Sequence, residues 1–140
     1  MKPSSLPVRV SVVNAEAVVA IFGRFDLHDA DLRAVRLTIG ADGSPTLEAE
    51  FVMPGEFALA TGAADRGIDY RVTVRCTDVT DMALADFAEQ NVVAEYAFEV
   101  TEADAGDTRT VRVVLTCSPG CDLELRCRSV AVTSVQAVPV

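Results

Sequence analysis

The chain has no tryptophan, two tyrosines and a single histidine among its 140 residues. Acid–base and metal chemistry near neutral pH leans on histidine, so one imidazole leaves few ways to build such a site. A structural zinc site needs four ligands, usually Cys with His, and no second histidine is available here. The chain has no G-x-S-x-G elbow to present a nucleophilic serine. It also has no Gly-rich phosphate loop. Long apolar runs are missing too. The longest candidate, Ala17 to Phe22, falls far short of the roughly 20 residues that span a membrane. The opening "MKPSSLPV" carries one lysine and no apolar h-region, so no secretory signal is expected. These gaps set the expectation of a cytoplasmic protein that is not an enzyme and needs no metal or cofactor.

Basic charge is also scarce. Twelve Lys and Arg face 21 Asp and Glu, for a net charge of −9. That balance argues against nucleic acid and anionic membranes as direct partners. The excess is concentrated. Residues 1–44 balance, and residues 109–140 carry +2. Residues 45–108 set three arginines against fourteen acids, a balance of −11. Such a segment is either a solvated, solubilising surface or a docking face for something basic.

Half of the residues are apolar, enough for one self-sufficient domain over residues 1–140. Their spacing is mostly period two. "VRVSVV", residues 8–13, reads as a short strand. Asn14 suits an N-cap and Gly23 a stop, which predicts a short helix over 15–22. In "LRAVRLTI", Val35, Leu37 and Ile39 share one face. After the turn "GADGSP", "TLEAEFVM" sets Leu47, Ala49, Phe51 and Met53 against Glu48 and Glu50, so the pair reads as a hairpin. Residues 54–68 read as a mobile loop rich in Gly and Ala. "YRVTVRCT" alternates cleanly, "VTDMALADF" more weakly, and "AEQNVV" reads as a turn or one helical turn. "EYAFEVT" puts Tyr96, Phe98 and Val100 on one face. "EADAGD" reads as a loop, and "TVRVVLTC" with "CDLELRCRSVAVTSV" as a second hairpin around "SPG". Many half-apolar strands and little helix give an α+β fold. The expected architecture is a mostly antiparallel, curved single sheet of about six to eight strands with one short N-terminal helix.

Cys76, Cys117, Cys121 and Cys127 do not follow a zinc-ribbon spacing. Each instead continues a row of apolar strand positions, where a free thiol packs as a small hydrophobe. Reduced, metal-free core thiols are expected. A Cys117–Cys121 disulfide across "SPG" is geometrically open but disfavoured in a reducing compartment.

"FDLHDADL", residues 25–32, concentrates Asp26, His28, Asp29 and Asp31. They could form a metal or catalytic cluster. The segment also lies between a helix stop and a strand start. There, Leu27 and Ala30 can turn inward while the aspartates accept hydrogen bonds from nearby backbone N–H groups. On that architectural reading a partly buried His28 finds a carboxylate or carbonyl partner, and alanine at His28 or Asp29 costs about 1–3 kcal/mol.

"LHDADLRAVRL" followed by "PTLEAEF" resembles the opening and first hairpin of immunity protein family 50, from bacterial polymorphic toxin systems. "VTVRCTDVTDMALADFAEQNVV" is similar to that family's next strands and "QNV" turn, and "GCDLELRCRSVAV" to its last hairpin. The resemblance covers roughly residues 20–136. Leu27 stands where the family pattern usually has an aromatic residue, and 54–68 match no part of it. The resemblance implies a non-enzymatic protein that binds a co-encoded toxin and blocks it in the producing cell. The expected partner is therefore a cognate protein toxin, and the acidic 45–108 segment would complement a basic one. The carboxylates expected to receive it are Glu48, Glu50, Asp65, Asp69, Glu95 and Glu99. A general interaction or scaffold module is the alternative, and an enzyme or metal protein built on the His-Asp motif is a third reading. An exposed sheet edge would also allow a homodimer.

Overall fold

The computed structural model describes residues 8–9, 12–58, 67–102 and 109–139. A two-residue strand, β1 (Val8–Arg9), precedes the one α-helix among the described residues, α1 (Glu16–Phe22). Seven residues are too few for a stable isolated helix, so α1 depends on packing, and Val18 is its buried anchor. Gly23 ends it with φ 85° and donates its amide to the Val19 carbonyl, as the sequence leads one to expect. The start differs from expectation. Ala15 holds the N-cap position with no side-chain cap, and Asn14 takes a left-handed turn at φ 62°. The expected 8–13 strand is described only as β1 and an isolated bridge from Val13 to Ala131.

The rest is strand. β2 (Asp31–Ile39) and β3 (Pro45–Pro54) form the first hairpin. β4 (Ile68–Thr77), β5 (Thr80–Ala85) and β6 (Val92–Glu102) follow. β7 (Arg109–Ser118), β8 (Asp122–Cys127) and β9 (Ser129–Pro139) complete a mostly antiparallel sheet. The order is β5-β8-β7-β6-β2-β3-β4-β9, with β1 set beside β6. The expected loop at 54–68 is partly ordered backbone. Pro54 closes β3, residues 55–57 form a 3-10 turn and Ile68 opens β4; residues 59–66 lie outside the described part. "CDLELRCRSVAVTSV" is two strands rather than one, because the chain leaves β8 at Arg128 and re-enters the sheet beside β4 as β9.

Period-two reading locates the core well. Leu47, Ala49, Phe51 and Met53 are all buried, as are Val72, Val74 and Cys76. Val111, Val113, Leu115 and Cys117 on β7 and Leu123, Leu125 and Cys127 on β8 join the same cluster. β2 departs from the pattern. It bulges between Leu32 and Ala34, and beyond Asp31 its only partner strand is β3. Leu32 is fully buried, but Leu37 and Ile39 remain 52% and 66% exposed.

The sheet thus consists of two four-stranded halves, β5-β8-β7-β6 and β2-β3-β4-β9, whose ladder contact between β6 and β2 is the single pair Asp31–Val92. What joins the halves there is a set of loop hydrogen bonds around the His-Asp motif.

Candidate functional site

The 25–32 segment forms the corner between α1 and β2. Leu27 and Ala30 point inward and are 0% and 1% exposed. Asp26 closes an Asx turn, its Oδ1 accepting the His28 amide at 2.9 Å. Asp29 adopts φ 70°, a left-handed conformation that Asp tolerates better than most residues. Its backbone amide donates to the Val93 carbonyl at 2.9 Å, and Val93 donates back to Ala30 at 2.8 Å. Asp31 reaches furthest. Its Oδ1 accepts the Asn91 amide at 2.9 Å, while Oδ2 pairs with Arg33 at 2.9 Å.

His28 differs from the expectation of partial burial. Its ring is 56% exposed and meets the equally exposed Asp29 carboxylate at 3.1 Å. The corner turns its backbone and its leucine inward, which leaves the imidazole on the outside. A solvent-exposed pair of this kind contributes only about 0–1 kcal/mol, so the motif's stability resides in Leu27 and Asp31 rather than in His28.

The partner of this corner is Asn91, which the sequence marked only as part of a turn. It is 1% exposed and is the buried polar residue among the described residues. Its Oδ1 accepts the Ala88 amide at 2.8 Å. Its Nδ2 donates to the Leu32 and Ala88 carbonyls at 3.0 and 2.9 Å. Its own carbonyl accepts the Leu32 amide at 2.8 Å. One side chain therefore satisfies the backbone of two elements, where the two halves of the sheet would otherwise leave groups unpaired. The legible signal was an amide directly ahead of the apolar pair Val92–Val93.

A cavity of about 440 Å³ opens beside the corner. Phe22, Met53 and Pro54 supply apolar wall, and Arg24, Asp26, His28 and Asp29 the polar rim. Arg24 pairs with Asp26 at 3.4 Å. Among the described residues, no group of three or more His, Cys, Asp or Glu side chains is placed to hold a metal.

The carboxylates expected to receive a partner separate into two sets. Glu48, Glu50 and Asp69 share the outer face of β3 and β4, interleaved with arginine. Glu48 lies between Arg75 at 2.9 Å and Arg36 at 3.7 Å. Glu50 pairs with Arg71 at 2.8 Å, and Asp69 lines a shallow cavity with Arg33, Glu50 and Arg71. Glu95 and Glu99 stand on β6 in the other half, and Glu99 pairs with Arg112 at 3.2 Å. Asp65 lies outside the described residues. Asp81, Asp86, Glu89, Glu95 and Asp122 make no ion pair among the described residues. The cross-strand register sets Glu95 opposite Thr116, Thr116 opposite Asp122 and Asp122 opposite Ala85. This row carries two acids and no arginine, and Asp86 directly follows it.

All four cysteines are buried free thiols. They fall into two neighbouring pairs, Cys117 with Cys121 across the β7–β8 turn and Cys76 with Cys127 where β4 meets the end of β8. Burial, reinforced by the neighbouring thiol, pushes Cys117 up to about 12. Burial also raises Cys121. In the second pair the Cys76 thiol donates toward Cys127, which raises Cys76 and lowers Cys127. The raised thiols, Cys76, Cys117 and Cys121, react slowly at neutral pH. Protein purified anaerobically and titrated in denaturant should therefore give four free thiols; a titre of two would mean that a disulfide had already formed.

In comparison with known proteins, the chain matches no family model, no curated protein and no solved structure.

Proposed function

We propose that this chain is a non-catalytic immunity protein that binds a co-encoded bacterial toxin and blocks it by occlusion. The sequence resemblance to immunity protein family 50 motivates the reading. The observation that carries it is the unpaired acidic row formed by Glu95 and Asp122, extended by Asp86. A carboxylate already held by arginine has part of its field cancelled. An unpaired one adds fully to the potential that a basic partner feels on approach. We therefore place the docking face at the Glu95–Asp122 end of the outer side of β6, β7 and β8, beside β5 and away from Arg112 and Arg126, in preference to the arginine-laced face of Glu48, Glu50 and Asp69.

We further infer that the sheet is curved. Adjacent strands lie roughly 4.8 Å apart, so a flat sheet in this order would set β8 and β9 roughly 30 Å apart. Yet a single residue, Arg128, joins them. Its amide donates to the Thr77 carbonyl at 2.8 Å, and the hydroxyls of Thr77 and Ser129 hydrogen-bond beside it. A curved sheet presents its outer side as a convex surface, a shape suited to plugging a toxin's active-site cleft.

The direct test uses the purified toxin encoded beside the gene. Its activity should be lost as the chain is titrated to one equivalent; activity that persists in excess chain contradicts the proposal. Charge reversal then locates the face. Asp86→Lys, Glu95→Lys and Asp122→Lys together should leave the melting temperature nearly unchanged, because exposed charges contribute little to folding. They should slow association with the toxin by roughly tenfold or more at low salt and flatten its salt dependence. Glu48→Lys with Glu50→Lys should instead lower the melting temperature, since each lysine would face arginine. An on-rate insensitive to the first set and sensitive to the second would move the interface to the β3–β4 face.

A further inference from the structure

We propose that the four cysteines form two disulfide-forming sites, Cys117–Cys121 and Cys76–Cys127, which a disulfide-bearing oxidant closes by thiol–disulfide exchange. This inference stands independently of the toxin-binding reading.

The first site follows from strand register. β7 and β8 pair Leu115 with Leu123 and Thr116 with Asp122, so the next residues in register are Cys117 and Cys121. The Cys117 amide donates to the Cys121 carbonyl at 2.7 Å, which fixes them opposite each other. Directly opposed antiparallel residues have Cα atoms roughly 4.5–5.5 Å apart, inside the roughly 4.4–6.8 Å range that a disulfide spans. The second site lies at the β8–β9 corner. Cys76 and Cys127 are 2% and 3% exposed, and the residues that follow them, Thr77 and Arg128, are joined by a 2.8 Å backbone hydrogen bond. The two segments therefore run side by side at the cysteines, with both side chains buried in the same core.

The pairs are separate sites. Cys121 directly precedes β8 and Cys127 ends it. At roughly 3.3 Å per residue the pairs stand roughly 20 Å apart, too far for exchange between them or for a shared metal.

The chemistry balances with a small-molecule disulfide as oxidant. One cysteine thiolate attacks a sulfur of the oxidant, giving a mixed disulfide and releasing one small thiol. The facing cysteine, as thiolate, then displaces the second small thiol and forms the internal S–S bond. Two cysteine thiols are oxidised, one disulfide is reduced to two thiols, and no net proton is consumed. The Cys117–Cys121 pair should close first, because it lies directly beneath the exposed hairpin tip at Ser118, Pro119 and Gly120.

The test incubates the reduced chain with excess oxidised glutathione at pH 9, just below its melting temperature. Thiols are titrated in denaturant and the disulfides mapped by mass spectrometry. The titre should fall from four to two and then to zero, with Cys117–Cys121 and Cys76–Cys127 as the internal disulfides. Closing Cys76–Cys127 ties off a loop of about fifty residues and should raise the melting temperature by about 10 °C. Closing the hairpin pair should raise it much less. Cys76→Ala should keep the Cys117–Cys121 disulfide and place a single glutathione on Cys127. Thiols that persist, glutathione on all four cysteines, or a disulfide joining one pair to the other would overturn the assignment.

Discussion

Asn91→Ala should lower unfolding free energy by about 3 kcal/mol, a drop of roughly 10 °C in melting temperature. The side chain is buried and makes three hydrogen bonds, all to backbone groups of Leu32 and Ala88. Alanine removes the partners and leaves the Leu32 carbonyl where water has little access, while the Ala88 groups lie at a part-buried edge. Stranding a buried polar group costs about 1–3 kcal/mol; here the Leu32 carbonyl carries that cost in full and the part-buried Ala88 amide adds to it. The neighbour Gln90 is exposed, and Gln90→Ala should change stability by no more than about 0.5 kcal/mol. Urea denaturation of the two variants settles the matter. An Asn91→Ala variant as stable as the parent would mean that the Asn91 side chain does not hold the junction at the Asp31 corner.

The second large effect divides the His-Asp motif. Leu27→Ala should cost about 2–5 kcal/mol, the range for truncating a fully buried leucine. His28→Ala should cost less than about 1 kcal/mol, because the ring and its Asp29 partner are both more than half exposed. Asp31→Ala belongs with the costly changes, since it strands the Asn91 amide. This order reverses what the residue types suggest, with the histidine as the least consequential member. A His28→Ala variant that unfolds early would show that the ring supports the corner. On the proposed immunity reading, one that keeps its stability but fails to bind the toxin would make the cavity rim a binding site.

The alternation of "TLEAEFVM" and "YRVTVRCT" named the buried face of β3 and β4 residue by residue, because a half-buried strand writes its burial at period two. The same rule placed all four cysteines inward. It was silent on pairing between distant strands, so it could not show that Glu48 and Glu50 face arginines on β2 and β4. Nor could it show that Glu95 stands in the row of Asp122. The break at Arg128 was invisible for a related reason: both sides of it alternate, and only the partner strand changes. In β2, alternation named Leu37 and Ile39 as inward, yet period two cannot say whether another strand arrives to cover them. Asn91 was missed because a polar residue in a turn reads as exposed until the backbone groups around it are known.

Growth on co-expression tests toxin neutralisation most directly. Cells expressing the toxin encoded beside this gene should arrest alone, recover with the chain, and recover less with the Asp86, Glu95 and Asp122 charge-reversed variant. Arrest that continues in the presence of well-folded, abundant chain contradicts the immunity reading.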